Sequence, residues 1–203
     1  MEHQEKWLKR VEEIFFRYGV KSVTMDDVAR ELGTSKKTLY QWVSSKDELV
    51  QRVLSHFMEQ EQLQCEERKR RAANAIEEVF LVIEATIPRM QLMKTNVVYD
   101  LQKYYREAWE KLRQYQHGFL YEVVRANLER GIRERFYRSD INVDIIARLH
   151  VATVFQLFDE ELFPQHKYSR QELFRHYLTH YLYGIASAKG LAILERLSVQ
   201  SLK

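Results

Sequence analysis

Glycine, proline and cysteine are scarce in this sequence of 203 residues. Six glycines and two prolines supply few of the turns that a fold of many short strands needs, which argues against such a fold. A single cysteine, Cys65, excludes an intramolecular disulfide framework. The remainder is rich in leucine, glutamate, arginine and lysine, and 45% of the residues are hydrophobic. The composition therefore predicts an all-α protein with a substantial core.

Long apolar runs and a strong charge imbalance are also missing. Without a signal peptide or a membrane-spanning stretch, the sequence predicts a soluble, cytoplasmic protein that has no membrane partner. The net charge is +3, and residues 1–50 hold nine basic and nine acidic side chains. Residues 36–46 nevertheless contain three lysines and no acid. This local basic strip indicates contact with phosphates at one edge of a neutral module, because a basic tail would show a larger excess.

Residues 24–49, TMDDVARELGTSKKTLYQWVSSKDEL, predict three short helices separated by two tight breaks. Thr24 is a typical N-cap, and Asp27 three residues later completes a capping box. Gly33 ends that helix, since glycine adopts the left-handed C-terminal conformation without a Cβ penalty. Ser45 and Glu48 have the spacing of a further capping box.

The middle helix of this segment, residues 36–43, has an apolar side at Leu39 and Val43. A helix, a tight turn and a short helix with a polar outer face are the pattern of a DNA-reading helix-turn-helix. Such a helix enters the major groove with its early residues nearest the bases, so four side chains can reach base edges. These four are Lys36, Lys37, Thr38 and Gln41. The predicted outer face also carries Tyr40 and Trp42.

The run V-T-M-D-D-V-A-x-x-L-G-T-S-K-K-T-L-Y-x-W-V-x-S-K-D-E-L resembles the DNA-binding signature of the tetracycline-repressor (TetR) family of bacterial transcriptional regulators. The resemblance is specific over residues 7–54. Trp42 and Val43 depart from the commonest family residues but keep their class. The resemblance implies that Tyr40, Trp42 and Lys46 contact phosphates, and that Thr24 does so from a helix N-terminus.

The predicted domains are a helix-turn-helix DNA-binding domain at residues 1–50 and a helical effector-binding and dimerisation domain at 51–203. In the first domain, a helix from about His3 to Tyr18 is expected to pack across the helix-turn-helix motif. A fourth helix is predicted from Asp47 to about Leu63. The hydrophilic run EQEQLQCEERKRRAAN is interpreted as its end plus a connection to the second domain.

Further helices are predicted from the apolar periodicity of the second domain. One helix should end or kink at Pro88, and a long pattern over residues 97–133 can break at Gly118. Asp140 or Asn142 can cap a helix that continues to about residue 162. Ser169 can cap a last long helix that reaches about residue 197, with a weak point at Gly190.

The two last long helical patterns are apolar over more than one face, and such helices need a second neighbour. The family resemblance supplies one, because these helices form a dimer interface in the family. The second domain is also rich in aromatic residues, which by themselves are more often core than pocket. In the family this domain typically encloses a small molecule, so an apolar or aromatic effector is expected. The candidate pocket residues are Tyr105, Trp109, Phe119, His150 and Phe155.

No catalytic constellation, metal site or cofactor motif is predicted. His176 and His180 have a spacing that can hold a metal, but no third ligand accompanies them, so we interpret them as interface or surface residues. Cys65 lacks a neighbouring base or resolving cysteine. The predicted function is that of a nucleoid-associated homodimeric repressor that binds palindromic DNA and is released by a small molecule. The alternatives are a ligand-independent DNA-binding or chromosome-organising helical dimer and, with less support, a helical enzyme.

Overall fold

The computed structural model describes residues 2–92 and 97–201 of the chain. The regular structure of these residues is helical, with one isolated bridge between Tyr137 and Ala186. The helices are α1 (Glu2–Tyr18), α2 (Met25–Glu31), α3 (Lys36–Trp42), α4 (Lys46–Arg71), α5 (Ala75–Leu92), α6 (Val97–Tyr104), α7 (Arg106–Tyr115), α8 (Tyr121–Arg133), α9 (Val143–Gln156), α10 (Arg170–Ile185) and α11 (Ala188–Ser201). A π-helical segment, Gln116–Leu120, lies between α7 and α8. The prediction of an all-α protein is confirmed.

The chain divides into two compact units. The first comprises Met1–Gln64 and Gln91–Tyr115, and the second comprises Cys65–Met90 and Gln116–Lys203. Helix α4 is continuous through the end of the first segment and the start of the second. The predicted domain boundary between residues 50 and 51 falls inside α4. It separates the segments by their expected functions, and it stays a prediction.

The core of the first unit draws on its first four helices. Each contributes apolar side chains at helical spacing, which gives the helix one buried face. The buried residues include Val11, Ile14, Phe15, Val20, Val28, Leu39, Val43, Leu49 and Val53. Phe16 of α1 also meets Phe57 of α4 edge-on, with the ring centroids 6.3 Å apart. A three-helix motif therefore packs on the N-terminal half of α4.

Helix α4 is longer than the sequence predicted. The hydrophilic run after Leu63 forms its last turns instead of a connector, and the helix ends at Arg71. Glutamate, glutamine and arginine have good helix propensities, and ion pairs such as Arg70 with Glu67 join residues three apart. The prediction was wrong because it interpreted hydrophilicity as the loss of a helix.

The long pattern over residues 97–133 is divided more finely than predicted. Tyr105 separates α6 from α7, and the π-helical segment around Gly118 separates α7 from α8. The predicted break at Gly118 is therefore present in the form of a changed helical pitch. Helix α5 continues past Pro88 to Leu92 and does not end there.

The C-terminal helices start where the capping residues indicated. Asn142 accepts a hydrogen bond from the backbone N–H of Ile145 at 3.1 Å, and Ser169 accepts one from Glu172 at 3.1 Å. Helix α9 ends at Gln156, earlier than the predicted residue 162. The buried guanidinium of Arg170 donates to the carbonyl oxygen of Leu157, the C-cap residue of α9.

The predicted last helix is two helices, and its break is at Ala186 and Ser187 instead of Gly190. Ala186 has extended backbone and pairs with Tyr137, while the N–H of Ser187 donates to the carbonyl oxygen of Phe136 at 2.9 Å. A Cβ at Gly190 would lie 2.1 Å from that same Phe136 oxygen. Gly190 is thus a site of close backbone approach and not a helix break.

The second unit has its own core of apolar residues, including Ile76, Leu128, Ala147, Leu182 and Leu194. A buried polar group accompanies it. The side-chain amide of Asn127 and the hydroxyl of Tyr137 both donate to the carbonyl oxygen of Ala75, at 3.0 and 3.2 Å. This carbonyl lies at the start of α5, so the polar contacts fix that helix on α8.

No helix within residues 2–92 and 97–201 is both long and apolar enough to cross a membrane.

Candidate DNA-binding surface

Helix α2 begins and ends with the local motifs that the sequence predicted. Thr24 accepts a hydrogen bond from the N–H of Asp27 at 3.2 Å, and the Asp27 carboxylate accepts one from the N–H of Thr24 at 3.0 Å. The Thr24 hydroxyl also donates to the Asp27 carboxylate at 2.6 Å, and this bond, followed by that from the Thr24 N–H, lowers the pKa of Asp27 to about 2. The capping box is confirmed, and it leaves the Thr24 side chain exposed at a helix N-terminus.

The turn after α2 is a Schellman motif. Gly33 has a φ of 63°, its N–H donates to the carbonyl oxygen of Arg30, and the N–H of Thr34 donates to that of Ala29. These two bonds satisfy carbonyl groups that the end of the helix leaves without a partner. The turn thereby fixes the path of the chain from α2 into α3.

Helix α3 presents a polar face to solvent. Ser35 caps it by accepting a hydrogen bond from the N–H of Thr38 at 3.0 Å, and Leu39 is fully buried. Because Leu39 anchors one side of the helix, the opposite side is exposed. The exposed side chains are Lys36, Lys37, Thr38, Tyr40 and Gln41.

Lys36 forms an ion pair with Asp26 of α2, with the ammonium nitrogen 2.9 Å from the nearer carboxylate oxygen. The hydrogen bond to Asp26 raises the pKa of Lys36, so the side chain stays charged. Both side chains are more than half exposed, and exposed ion pairs of this kind contribute little to stability. A nearby phosphate can therefore compete for this lysine.

The structure places Trp42 differently from the other predicted contact residues. Its indole packs edge-on against that of Trp7, with ring centroids 5.4 Å apart, and the Arg52 guanidinium lies 5.7 Å from its centroid. The ring is half-buried, and its N–H has no hydrogen-bond partner among the described residues. The expected exposure on the outer face of α3 was wrong, because α1 covers that side.

The start of α4 has a capping arrangement that is shifted by one residue from the predicted box. Ser45 accepts from the N–H of Glu48 at 3.1 Å, but the Glu48 carboxylate accepts from the N–H and hydroxyl of Ser44, each at 2.7 Å. These bonds, first that from the backbone of Ser44, lower the pKa of Glu48 to about 2. The break between α3 and α4 is therefore closed by side chains on both of its sides.

Lys46 is less exposed than the lysines of α3. Its ammonium donates a hydrogen bond to the carbonyl oxygen of Lys21 at 3.0 Å and lies 5.7 Å from the centroid of the Tyr105 ring. Partial burial lowers the pKa of Lys46, although nearby aspartates oppose this effect. Lys21 did not feature in the sequence prediction, and only its position three residues before the Thr24 cap could have indicated it.

The predicted pocket residues divide between the two units. Tyr105 and Trp109 belong to the first unit, where the Tyr105 hydroxyl donates to the carbonyl oxygen of Val20 at 3.4 Å. Phe119, His150 and Phe155 belong to the second unit, and each of them is half-buried.

His150 lies in an aromatic group that the sequence prediction did not include. Its ring centroid lies 4.1 Å from that of Tyr181 and 5.5 Å from that of Tyr177, and its Nδ1 is 2.9 Å from the Tyr177 hydroxyl. Desolvation lowers the pKa of His150 to about 4 and raises the pKa of both tyrosines. The three rings thus form a neutral, aromatic site between α9 and α10.

His176 and His180 are both exposed on α10. Within the described part of the chain, no group of three or more histidine, cysteine, aspartate or glutamate side chains could hold a metal ion.

Comparison with known proteins places the chain in a family. Residues 8–53 match the family described as bacterial regulatory proteins, tetR family. The chain is 31% identical over 156 residues to the uncharacterized HTH-type transcriptional regulator YvaF of Bacillus subtilis strain 168, covering 75% of this chain and 80% of that protein.

Solved structures show the same fold. A TetR-family regulator from Agrobacterium tumefaciens has a TM-score of 0.76 at 16% identity over 92% of this chain and 98% of its own. The regulator FadR from Bacillus subtilis, solved in complex with stearoyl-CoA, has a TM-score of 0.68 at 18% identity over 88% and 97%. The relatives are regulators and not enzymes. The chain belongs to the TetR family of bacterial regulatory proteins and is a DNA-binding transcriptional regulator.

Proposed function

We propose that the protein is a homodimeric repressor that binds a palindromic operator through α3 and is released by an apolar or aromatic small molecule. The observation that carries the proposal is the exposed polar face of α3 over the buried Leu39. Two such helices related by a two-fold axis read two half-sites about one DNA turn apart, roughly 34–36 Å. Such a protein acts in the nucleoid of a bacterial cytoplasm.

Base readout falls to the early residues of α3. Lys36 and Lys37 can donate to O6 and N7 of guanine, Gln41 can bond adenine through its amide, and the Thr38 methyl can contact thymine. Tyr40, 44% exposed, reaches a phosphate from the same face. These contacts give sequence preference together with a salt-dependent component.

Phosphate contacts at the N-termini of α2 and α4 complete the proposed DNA-binding surface. The exposed Thr24 lies at the N-terminus of α2, where the helix dipole favours an anion. Lys46 lies at the N-terminus of α4 and has three ammonium donors. Its hydrogen bond to Lys21 uses one of them and leaves two for a phosphate. Trp42, packed on Trp7, supports the position of α3 and contributes at most its exposed edge.

The dimer contact is proposed for the exposed faces of α9 and α10. Ile145 and Leu149 of α9 are 52% and 57% exposed, and Tyr183 of α10 is 46% exposed. Exposed apolar residues one helical turn apart form a stripe that a second copy can cover. Obligate dimers bury on the order of 2,000 Å² or more, which requires both helices.

The effector site is proposed for the second unit, around His150, Phe119 and Phe155. Tyr177 and Tyr181 place two further rings next to His150. FadR was solved with stearoyl-CoA, whose stearoyl group is apolar, and this supports an effector of that character. A ligand releases DNA only through different affinities for two arrangements of the dimer. Helix α4 is a continuous route for such coupling, because it contributes residues to both units.

The reading head can be tested by selecting binding sites from a random duplex pool and by genome-wide footprinting of the purified protein. We expect a palindrome with half-site centres about one turn apart. Gln41→Ala should relax the preference at one position of each half-site, whereas Lys111→Gln, at an exposed position on α7, should not. Selection of no common sequence would refute the proposal.

The dimer is tested separately by sedimentation at micromolar concentration. We expect a species of twice the 24.5 kDa chain mass, and Leu149→Glu should shift it toward the monomer. A wild-type protein that sediments only as a 24.5 kDa species would contradict the proposed dimer.

A further inference from the structure

Two lysines and two tyrosines form a group on the first unit that the reading motif does not include. Lys21 lies between α1 and α2, and Tyr99, Lys103 and Tyr104 lie on α6. We name these four residues the lysine–tyrosine cluster. Both lysines are exposed, and Tyr99 and Tyr104 are 47% and 39% exposed. Large aromatic side chains at this level of exposure, combined with charge, indicate an interaction surface.

The cluster is held together by short contacts between unlike groups. The Lys21 ammonium donates to the Tyr104 hydroxyl at 2.9 Å, and the Lys103 ammonium donates to the Tyr99 hydroxyl at 2.7 Å. The same two ammonium nitrogens lie 4.4 and 5.6 Å from the centroid of the Tyr104 ring. Both lysines therefore lie next to one ring, with a phenol on each side of Lys103.

Each lysine ammonium has three donors, and the bond to its phenol uses one of them. The Tyr104 oxygen accepts a hydrogen bond from the Lys21 ammonium, so the Tyr104 O–H can itself donate to an acceptor. The bond from Lys21 lowers the pKa of Tyr104, and the bond to Tyr99 raises the pKa of Lys103. Asp100 is the nearby acid, and its carboxylate accepts the backbone N–H of Lys21 at 2.9 Å. An anion with several oxygen acceptors fits this arrangement.

The position of the cluster indicates which anion it takes. The carbonyl oxygen of Lys21 accepts the hydrogen bond from the Lys46 ammonium, and Lys21 precedes the Thr24 cap by three residues. Lys46 and Thr24 are the two proposed phosphate contacts at helix N-termini, so the cluster continues that surface on α6. Lysine, tyrosine and backbone N–H groups are the usual partners of DNA phosphates.

We propose that the lysine–tyrosine cluster binds backbone phosphates of the DNA that flanks each operator half-site. This inference rests on the proposed function and extends its contact surface from the helix-turn-helix to α6. Contacts of this kind add affinity and fix register without reading bases. Helix α6 thereby becomes part of the DNA-binding surface and not only its support.

The test is the salt dependence of affinity for Lys103→Gln on two duplexes that share the selected operator. One ends at the operator, and the other continues for half a helical turn on each side. Each lost phosphate contact flattens the slope of log Kobs against log salt by about 0.9, so the two heads of a dimer should lose about 1.8 on the long duplex. On the short duplex the variant should match the wild type.

Matched variants separate charge from folding. Lys103→Arg should keep the wild-type slope, and Lys111→Gln removes the same charge from an exposed position on α7 and should also keep it. Tyr104→Phe should weaken binding to the long duplex with an unchanged slope, since it removes a hydroxyl and no charge. An equal slope for Lys103→Gln and Lys111→Gln on the long duplex would overturn the proposal.

A small anion is the competing occupant. Titration of inorganic phosphate into the DNA-free protein would reveal it as binding that Lys103→Gln abolishes while the DNA slopes stay unchanged, and this result would also overturn the proposal. If the wild type selects no operator, the proposed function fails separately. The proposal for the lysine–tyrosine cluster is then tested by the salt dependence of binding to a long random duplex. Lys103→Gln should flatten the slope of log Kobs against log salt there by the same amount.

Discussion

The indole of Trp42 at the end of the reading helix packs edge-on against the indole of Trp7 in α1, with centroids 5.4 Å apart at an interplanar angle of 71°. Edge-to-face pairs of this kind contribute about 0.5–1.5 kcal/mol beyond the area that they bury. The pair connects α1 to α3, so the orientation of the proposed DNA-reading face depends on a contact outside the helix-turn-helix.

A double-mutant cycle with Trp7→Ala and Trp42→Ala should show this coupling. We expect each single variant to lose about 2–3 kcal/mol of unfolding free energy, less than a fully buried tryptophan, with a coupling of about 0.5–1.5 kcal/mol. Trp42→Phe should cost less than Trp42→Ala, because it keeps a ring and removes an N–H that has no partner among residues 2–92 and 97–201. Urea denaturation measures the free energy of unfolding of the wild type, the two alanine variants, the double variant and Trp42→Phe. Zero coupling would argue against the packing role.

The ion pair of Arg130 with Glu78 should be costly to break from one side. The Nη1 atom of Arg130 lies 2.9 Å from the Oε2 atom of Glu78, and the two side chains are only 22% and 10% exposed. Arg130→Met leaves a buried carboxylate without its partner, and we expect a loss of about 3 kcal/mol. Adding Glu78→Leu should recover part of the loss. Thermal unfolding measures the loss. A decrease of less than about 1 kcal/mol in the free energy of unfolding would show that this ion pair contributes no more than an exposed one.

Arg135→Gly should stabilise the protein. Arg135 has a φ of 63° in the turn after α8, where Phe136 and Arg135 donate to the carbonyl oxygens of Gly131 and Ile132. A residue with a Cβ is strained there, so glycine should gain about 0.5–1 kcal/mol, or roughly 1–4 °C in Tm. Arg133→Gly, inside the last turn of α8, is the control and should destabilise. A lower Tm for Arg135→Gly would contradict this account.

Stability should fall with acidification through the titration of His150. Burial lowers the pKa of His150 in the folded protein from 6.5 to about 4, so between these values the unfolded chain binds more protons. The free energy of unfolding should therefore decrease as the pH falls from about 6.5 to 4, by at most about 1.4 kcal/mol per pH unit.

His150→Gln should flatten this part of the stability profile, measured by urea denaturation at several pH values. His176→Gln removes an exposed histidine of α10 and should leave the slope in place. A wild-type profile that is flat between pH 4 and 6.5 would show that His150 is protonated without cost in the folded protein.

Local signals predicted the reading motif well. The bonds that cap α2 and form its Schellman turn join residues at most five apart, from Thr24 to Asp27 and from Ala29 to Thr34. Such bonds depend on side chains and backbone conformations that neighbouring residues determine. Leu39 was equally predictable, because the 3.6-residue period places it opposite the polar face of α3.

The sequence by itself determined the helical class, the capped reading helix and the family, because each depends on neighbours along the chain or on composition. Tertiary structure decided which side of Trp42 is covered, where α10 ends and what Lys46 bonds. The Trp42 indole packs on Trp7 of α1. The N–H of Ser187, at the break after α10, donates to the carbonyl oxygen of Phe136, and the Lys46 ammonium donates to that of Lys21. Each of these is a contact between segments far apart in sequence, and only the packed chain brings their polar and aromatic groups within bonding distance.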